Sequence, residues 1–216
     1  MKTRTKALLL VMSALLLIVS TVFATMAYLT SQTGVITNTF SVGNVTITMD
    51  ETLVNEYGKY CKLSGTDLVE VATKAEAGRA QANSYKLIPG HTYTKDPTIH
   101  IADKSEPCYL FIKVENAISF IEATDKKVDD QIKANGWTVI STSGNVTIYG
   151  KATAIDARGG AVDVATFETI NIATDADLTG YAGKTVTIQA CAIQADGFAD
   201  MNAAWTTGFG SNFPTP

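Results

Sequence analysis

An all-β fold, two antiparallel sheets packed face to face as in a jelly roll, is what this 216-residue sequence predicts. Three observations point there. Short runs rich in Thr, Val and Ile alternate apolar and polar residues with a period of two. Gly- and Pro-containing turn signals separate these runs at intervals that suit strands rather than long helices. Charged residues make up only 18% of the chain, a balance suited to an exported β domain and unlike that of a disordered chain or coiled coil.

The elements follow in order. Val45, Ile47 and Met49 alternate with Thr46, Thr48 and Asp50, and Gly43-Asn44 turns the chain into this strand. Residues 51–84 carry weak patterning and many small polar residues, and read as an insertion or an exposed loop with a short helix. Pro89-Gly90 marks a turn. The run His91–Asp103 follows as a strand interrupted at Pro97, which suggests an edge position or a bulge. Cys108–Asn116 is the strongest strand: Cys108, Leu110, Ile112 and Val114 share one face, while Tyr109, Phe111, Lys113 and Glu115 give the other a half-apolar, half-charged character. Burying the first set would contribute roughly 1.5–3 kcal/mol per large side chain. Val128–Gly136 predicts a short helix ended by glycine. Trp137–Gly150 predicts a hairpin turning at Ser143-Gly144-Asn145. Val162–Ile172 is a strand or strand pair. Lys184–Asp196 places Val186, Ile188, Ala190 and Ala192 on one side of a strand, and Asp196 is expected to cap a last helix, Phe198 to Thr206. About eight strands result, with short helices in the connections. The phrase Gly-Asn-Val-Thr-Ile, at 43–47 and 144–148, is a shared turn-plus-strand solution and not a repeat, since its flanks differ.

The N-terminus has a different character. Lys2, Arg4 and Lys6 precede an uncharged run from Ala7 to Ala27, and Thr25-Met26-Ala27 offers small residues around a larger one. Residues 1–27 therefore read as a helical signal peptide, cut between Ala27 and Tyr28, with Ala24 as the second choice. An uncleaved membrane anchor is the alternative, as about 20 apolar residues span a bilayer. Cleavage removes three cations and no anion, so the net charge of −4 becomes −7. Residues 28–216 then form one domain. The acidic balance and the lack of a Lys/Arg cluster argue against a nucleic-acid partner.

Motifs for chemistry are sparse. His91 and His100 lie nine apart on what reads as one strand, hence on opposite faces unless Pro97 bulges it. A metal site could use Asp96 or Asp103 with one of them, but no His-Glu-x-x-His is present. Asp175–Gly180 departs from a calcium loop and reads as a surface turn. Cys61, Cys108 and Cys191 allow at most one internal bridge, with three possible pairings. No phosphate loop, serine elbow or paired-carboxylate motif occurs. The reading is a non-enzyme with no catalytic residue, metal or cofactor.

Three stretches together resemble the TasA/camelysin family of secreted Gram-positive matrix proteins: the export segment ending TMA-YLTSQTG, similar to signals cut by the SipW-type peptidase; NTFSVGNVTITMDE (38–51); and LIPGHTYTKDPTIHIAD (87–103). With the signal they cover roughly a quarter of the chain. The resemblance implies a jelly roll, secretion to the biofilm matrix or cell surface, and assembly into fibres in which the mature N-terminal segment of one subunit lies in a groove of the next. Some members are described as metallo-endopeptidases. The residues fit the fibre reading: a strand left unpartnered at a new chain start is a hazard unless a neighbour's sheet accepts it. Residues 28–40 are expected to dock as a donor strand into another copy, with Tyr28, Ile36 and Phe40, all of one parity, filling pockets. Such a head-to-tail contact does not close and generates filaments. The expected partners are other copies of the chain and a signal peptidase, with a membrane touched only through the uncleaved signal. The alternatives are a cell-surface metallo-endopeptidase and a monomeric surface adhesin.

Overall fold

The computed structural model describes residues 11–16 and 44–214. The expected cleavage point at Ala27 and Tyr28, and the donor residues Tyr28, Ile36 and Phe40, lie outside the described residues. Two compact units divide the chain, residues 1–42 and 43–216. Within the first, residues 11–16 are helical and exposed. Among the described residues no helix is long and apolar enough to cross a membrane.

The second unit is built of antiparallel strands: β1 (Ile47–Thr52), β2 (Cys61–Ser64), β3 (Asp67–Glu70), β4 (Arg79–Ala80), β5 (Thr92–Thr94), β6 (Thr98–Ile101), β7 (Cys108–Asn116), β8 (Trp137–Ser143), β9 (Val146–Lys151), β10 (Val162–Ala165), β11 (Thr169–Asn171) and β12 (Val186–Gln194). Two four-stranded sheets, ordered β10-β6-β1-β4 and β12-β7-β9-β8, carry most of them. Two-stranded pieces, β11-β5 and β2-β3, complete the set. An α-helix, α1 (Val128–Ala134), lies in the connection between β7 and β8, and a helical stretch over residues 201–208 follows β12.

The alternation read from the sequence sets the core. In the first sheet Ile47, Ile101 and Val162 stand side by side across three strands, and Met49, Ile99 and Val164 form the next rung. Both rungs join Leu110, Ile112 and Val114 of β7 and the even-numbered positions of β12 in one cluster. The two large sheets thus share a core, with α1 contributing Val128 and Ile132. Gly136, at φ +77°, ends α1 in the left-handed conformation that glycine takes without a steric penalty. The β8–β9 hairpin turns at Gly144-Asn145 as expected, although β8 carries a bulge between Val139 and Ser141.

A second cluster lies on the other face of the β7 sheet. Tyr109, Phe111, Cys191 and Ile193 pack under Met201, Ala204, Trp205 and Phe209. The half-apolar outer face of β7 is therefore covered at its apolar end. Both clusters draw their described members from Val45 onward. The described residues of unit 43–216 thus hold two cores.

Three sequence expectations change. Residues 51–84 are not only a loop: they finish β1, form the exposed β2–β3 hairpin, make a 3-10 turn at Lys74–Glu76 and add β4. Pro97 marks neither an edge nor a bulge. It is a corner where the chain leaves β5 in one sheet and enters β6, a central strand of another. Its missing N–H costs nothing there, and its carbonyl accepts hydrogen bonds from Thr166 N (3.1 Å) and Oγ1 (2.7 Å). The cap of the last helical stretch is Asp200, whose carboxylate accepts from Ala203 N at 2.8 Å, and not Asp196. Within the bound of at most one bridge, Cys61, Cys108 and Cys191 are all free thiols. Cys108 and Cys191 lie on neighbouring strands but opposite Gln194 and Phe111 respectively, out of register with each other.

Candidate functional site

Among the described residues, β1 and β12 each leave backbone unpaired. β12 is the edge of its sheet, bonded to β7 alone. β1 pairs along Ile47–Asp50 with β6 on one side, whereas β4 meets its other side only at Glu51 and Thr52. The chain after β4 does not continue that ladder. Asn83 ties it back instead: its Nδ2 donates to Glu51 Oε1 and to Thr52 O, both at 2.9 Å, and its Oδ1 accepts from Val54 N at 3.0 Å. Among the described residues nothing pairs with the outer side of β1 over Ile47–Asp50 or of β12.

These two edges frame a groove of about 910 Å³. Met49, Asp50 and Glu51 line it from β1, Val186 to Ile188 from β12, and residues 81–85 and 181–185 form its lips. Leu87, Tyr93, Ile118, Ile170 and Leu178 give it an apolar interior. Tyr85 sits edge-on to Tyr93, with ring centroids 5.4 Å apart, and donates its hydroxyl to Thr94 O at 2.9 Å. Burial raises the Tyr85 hydroxyl far above its ordinary range, so it stays a neutral donor. Tyr93 donates to Lys86 O. The polar part of the lining includes Asp50, Asn83, Lys184 and a buried ion pair, Lys95 Nζ to Glu51 Oε2 at 2.6 Å. A cleft with an apolar interior, bounded by strand edges that no described strand pairs, can take up an extended peptide. Main-chain hydrogen bonds then come from the edges, and pockets receive alternate side chains.

A separate polar cluster covers the outer face of the other sheet. His100, in the middle strand, is held by Asp163 Oδ1 on β10 at Nδ1 (2.7 Å) and by Asp50 Oδ1 on β1 at Nε2 (2.9 Å). Hydrogen bonds to Asp50 first, then Asp163, raise its pKa above the usual 6.5. Burial works to raise the Asp50 carboxyl, but bonds from His100 and Arg79 outweigh it and hold that group below its ordinary value. Arg79 Nη2 lies 2.5 Å from Asp50 Oδ1. Beside them, buried Asp96 accepts from Thr52 N and Oγ1, each at 2.7 Å, and from Lys74 Nζ at 2.7 Å.

The sequence candidates fall apart in space. His91 precedes β5 and bonds Tyr57 O at 2.9 Å, so the two histidines do not share a strand. Asp96 pairs with Thr52 and Lys74, and the carboxylates at His100 are Asp50 and Asp163, neither of which stands near it in sequence. Among the described residues no group of three His, Cys, Asp or Glu side chains is placed to hold a metal. Asp177 accepts from Thr179 N at 2.9 Å, closing a surface turn. Burial alone lifts the thiols of Cys108 and Cys191, to about 11 and about 12, and suppresses thiolate chemistry at both. The groove residues Glu51, Lys95 and Asn83 escaped sequence reading because they come from three separate segments. The signal that bears on them is the pair Lys95-Asp96 inside an otherwise apolar strand run. No protein-family profile, curated protein or solved structure matches the chain.

Proposed function

We propose that this chain is the secreted structural subunit of an extracellular fibre of the TasA/camelysin kind, assembling head to tail. In this reading, residues 28–40 of one copy, freed by removal of residues 1–27, dock as a donor strand in the groove of the next. The observation that carries it is the groove between the edges of β1 and β12, which no strand among the described residues pairs. A free edge invites a strand, and an apolar interior rewards the alternate side chains of whatever strand enters. Tyr28, Ile36 and Phe40 are the pocket-filling residues. The two four-stranded antiparallel sheets are compatible with the jelly roll that the resemblance implies.

Electron microscopy and sedimentation test the reading. A chain beginning at Tyr28 is expected to form filaments. A chain beginning at Ser41 is expected to stay folded and monomeric at the same concentration. Filaments formed equally well by both would defeat donation by residues 28–40.

A further inference from the structure

Three side chains from three segments meet where the groove lip joins β1. Glu51 lies on β1, Asn83 in the lip after β4, and Lys95 directly after β5. Lys95 is 8% exposed and Glu51 4%, while Asn83 is half-buried. One carboxylate joins the other two. Glu51 Oε2 accepts from Lys95 Nζ at 2.6 Å, and its Oε1 accepts from Asn83 Nδ2 at 2.9 Å. Asn83 Nδ2 also donates to Thr52 O at 2.9 Å, and Asn83 Oδ1 accepts from Val54 N at 3.0 Å. The amide orientation follows from these bonds, since one end meets a donor and the other meets acceptors. A Lys–Glu pair out of water is a poor source of stability, because desolvation of both charges offsets their attraction. The arrangement has instead the parts of an acyl transfer: an amine, an acid–base group touching it, and an amide whose carbonyl is polarised by a main-chain N–H.

We propose that Lys95 and Asn83 join in an intramolecular isopeptide bond, with Glu51 as the proton carrier. Glu51 takes a proton from the Lys95 ammonium across their 2.6 Å contact and leaves a neutral amine. In a buried site this exchange removes two charges and with them their desolvation cost. The Nζ lone pair attacks Asn83 Cγ, and the oxygen that becomes negative is the one held by Val54 N–H. Glu51 gives its proton to Nδ2 and takes one from Nζ. The Cγ–Nδ2 bond breaks, the Cγ–Nζ amide replaces it, and ammonia leaves. Ammonia takes the remaining proton from Glu51, so it departs as ammonium and the carboxylate is restored. The balance needs no oxidant or co-reactant. Glu51 touches both the nucleophile and the leaving group, so the reacting parts are held together before any bond forms. The product ties the groove lip, residues 81–85, to the corner between β5 and β6. The bond involves described residues alone and goes beyond the fibre reading, since it forms whether or not a strand docks.

The test is mass spectrometry of the purified full chain under denaturing conditions. Its mass is expected to lie below that of its sequence by one molecule of ammonia. Trypsin should release Ala80–Lys86 joined to Leu87–Lys104, uncut after Lys95, because acylation removes the charge that the protease reads. Lys95→Met and Asn83→Ala should each restore the full mass. Glu51→Gln should do the same with the amine and the amide both present, which separates a proton carrier from a bystander. Should these variants fail to fold, the branched peptide from the unchanged chain decides alone. Full mass in the unchanged folded chain, with cleavage after Lys95, would overturn the proposal. An ammonia loss that persists in Lys95→Met would also overturn it, since Asn83 would then have closed on its own backbone.

Discussion

The outer faces of the two large sheets met the same problem and solved it in opposite ways. On β10-β6-β1 the outward residues include Asp50, His100 and Asp163, joined by ion pairs and left partly in water. On β12-β7-β9 the outward residues at one end are Tyr109, Phe111, Cys191 and Ile193, and residues 201–213 close over them. Gly150 makes the covering possible, because a Cβ there would collide with the Met201 sulfur. Phe111 meets both Trp205 and Phe209, at centroid distances of 5.3 and 5.5 Å. A solvated sheet face is thus held by charge and responds to pH, while a covered one is held by shape and responds to volume.

The comparison breaks most severely at its apolar side. Trp205→Ala should destabilise the domain by about 3–5 kcal/mol in denaturant unfolding, because it empties the centre of the covered face. Gly150→Val should cost about 1–3 kcal/mol by overpacking the same site from below, and a stability near wild type would show that residues 201–213 do not bear on β9. The polar face should show a pH dependence instead. The His100 pKa is raised on folding, so its contribution is complete below pH 6.5 and is lost as pH rises through the folded value. His100→Gln should remove about 1 kcal/mol at pH 6 and little at pH 9, read from urea midpoints at the two values. The smallest effect is expected from Asp200→Ala, about 1 kcal/mol or less at any neutral pH, for loss of the cap at Ala203 N.

One buried group lies outside both faces and sharpens the contrast. Glu122 is 5% exposed, and burial lifts its carboxyl to about 7 despite hydrogen bonds from Asn116 and Val128 N. Its folded pKa lies above its ordinary 4.5, so stability should fall as pH rises from about 4.5 through about 7. Glu122→Gln should flatten that stretch of the pH profile, leaving His100 as the group that governs the alkaline side.

Much of this was legible in the residues themselves. The two-sided character of β7 followed from the alternation of Cys108–Asn116, and that of β12 from Val186, Ile188, Ala190 and Ala192 against Cys191 and Ile193. The end of α1 followed from Gly136, and the β8–β9 turn from Gly144-Asn145. The β2–β3 hairpin was not legible. Its burial pattern is exposed throughout except at Cys61, so it carries no period-two signal. The last helical cap was misplaced because Asp196 and Asp200 satisfy the same local pattern, and only the direction of the chain over Phe111 selects between them.

The sequence by itself determined which residues form strands and which side of each strand is apolar, since these depend on neighbours two positions away. Tertiary structure alone decided that Pro97 is a corner, that His100 meets Asp50 and Asp163, and that Glu51, Lys95 and Asn83 meet at a groove between two open edges. Those side-chain pairings join residues 32 to 63 positions apart, where local pattern carries no information and the packing of the two sheets sets every distance.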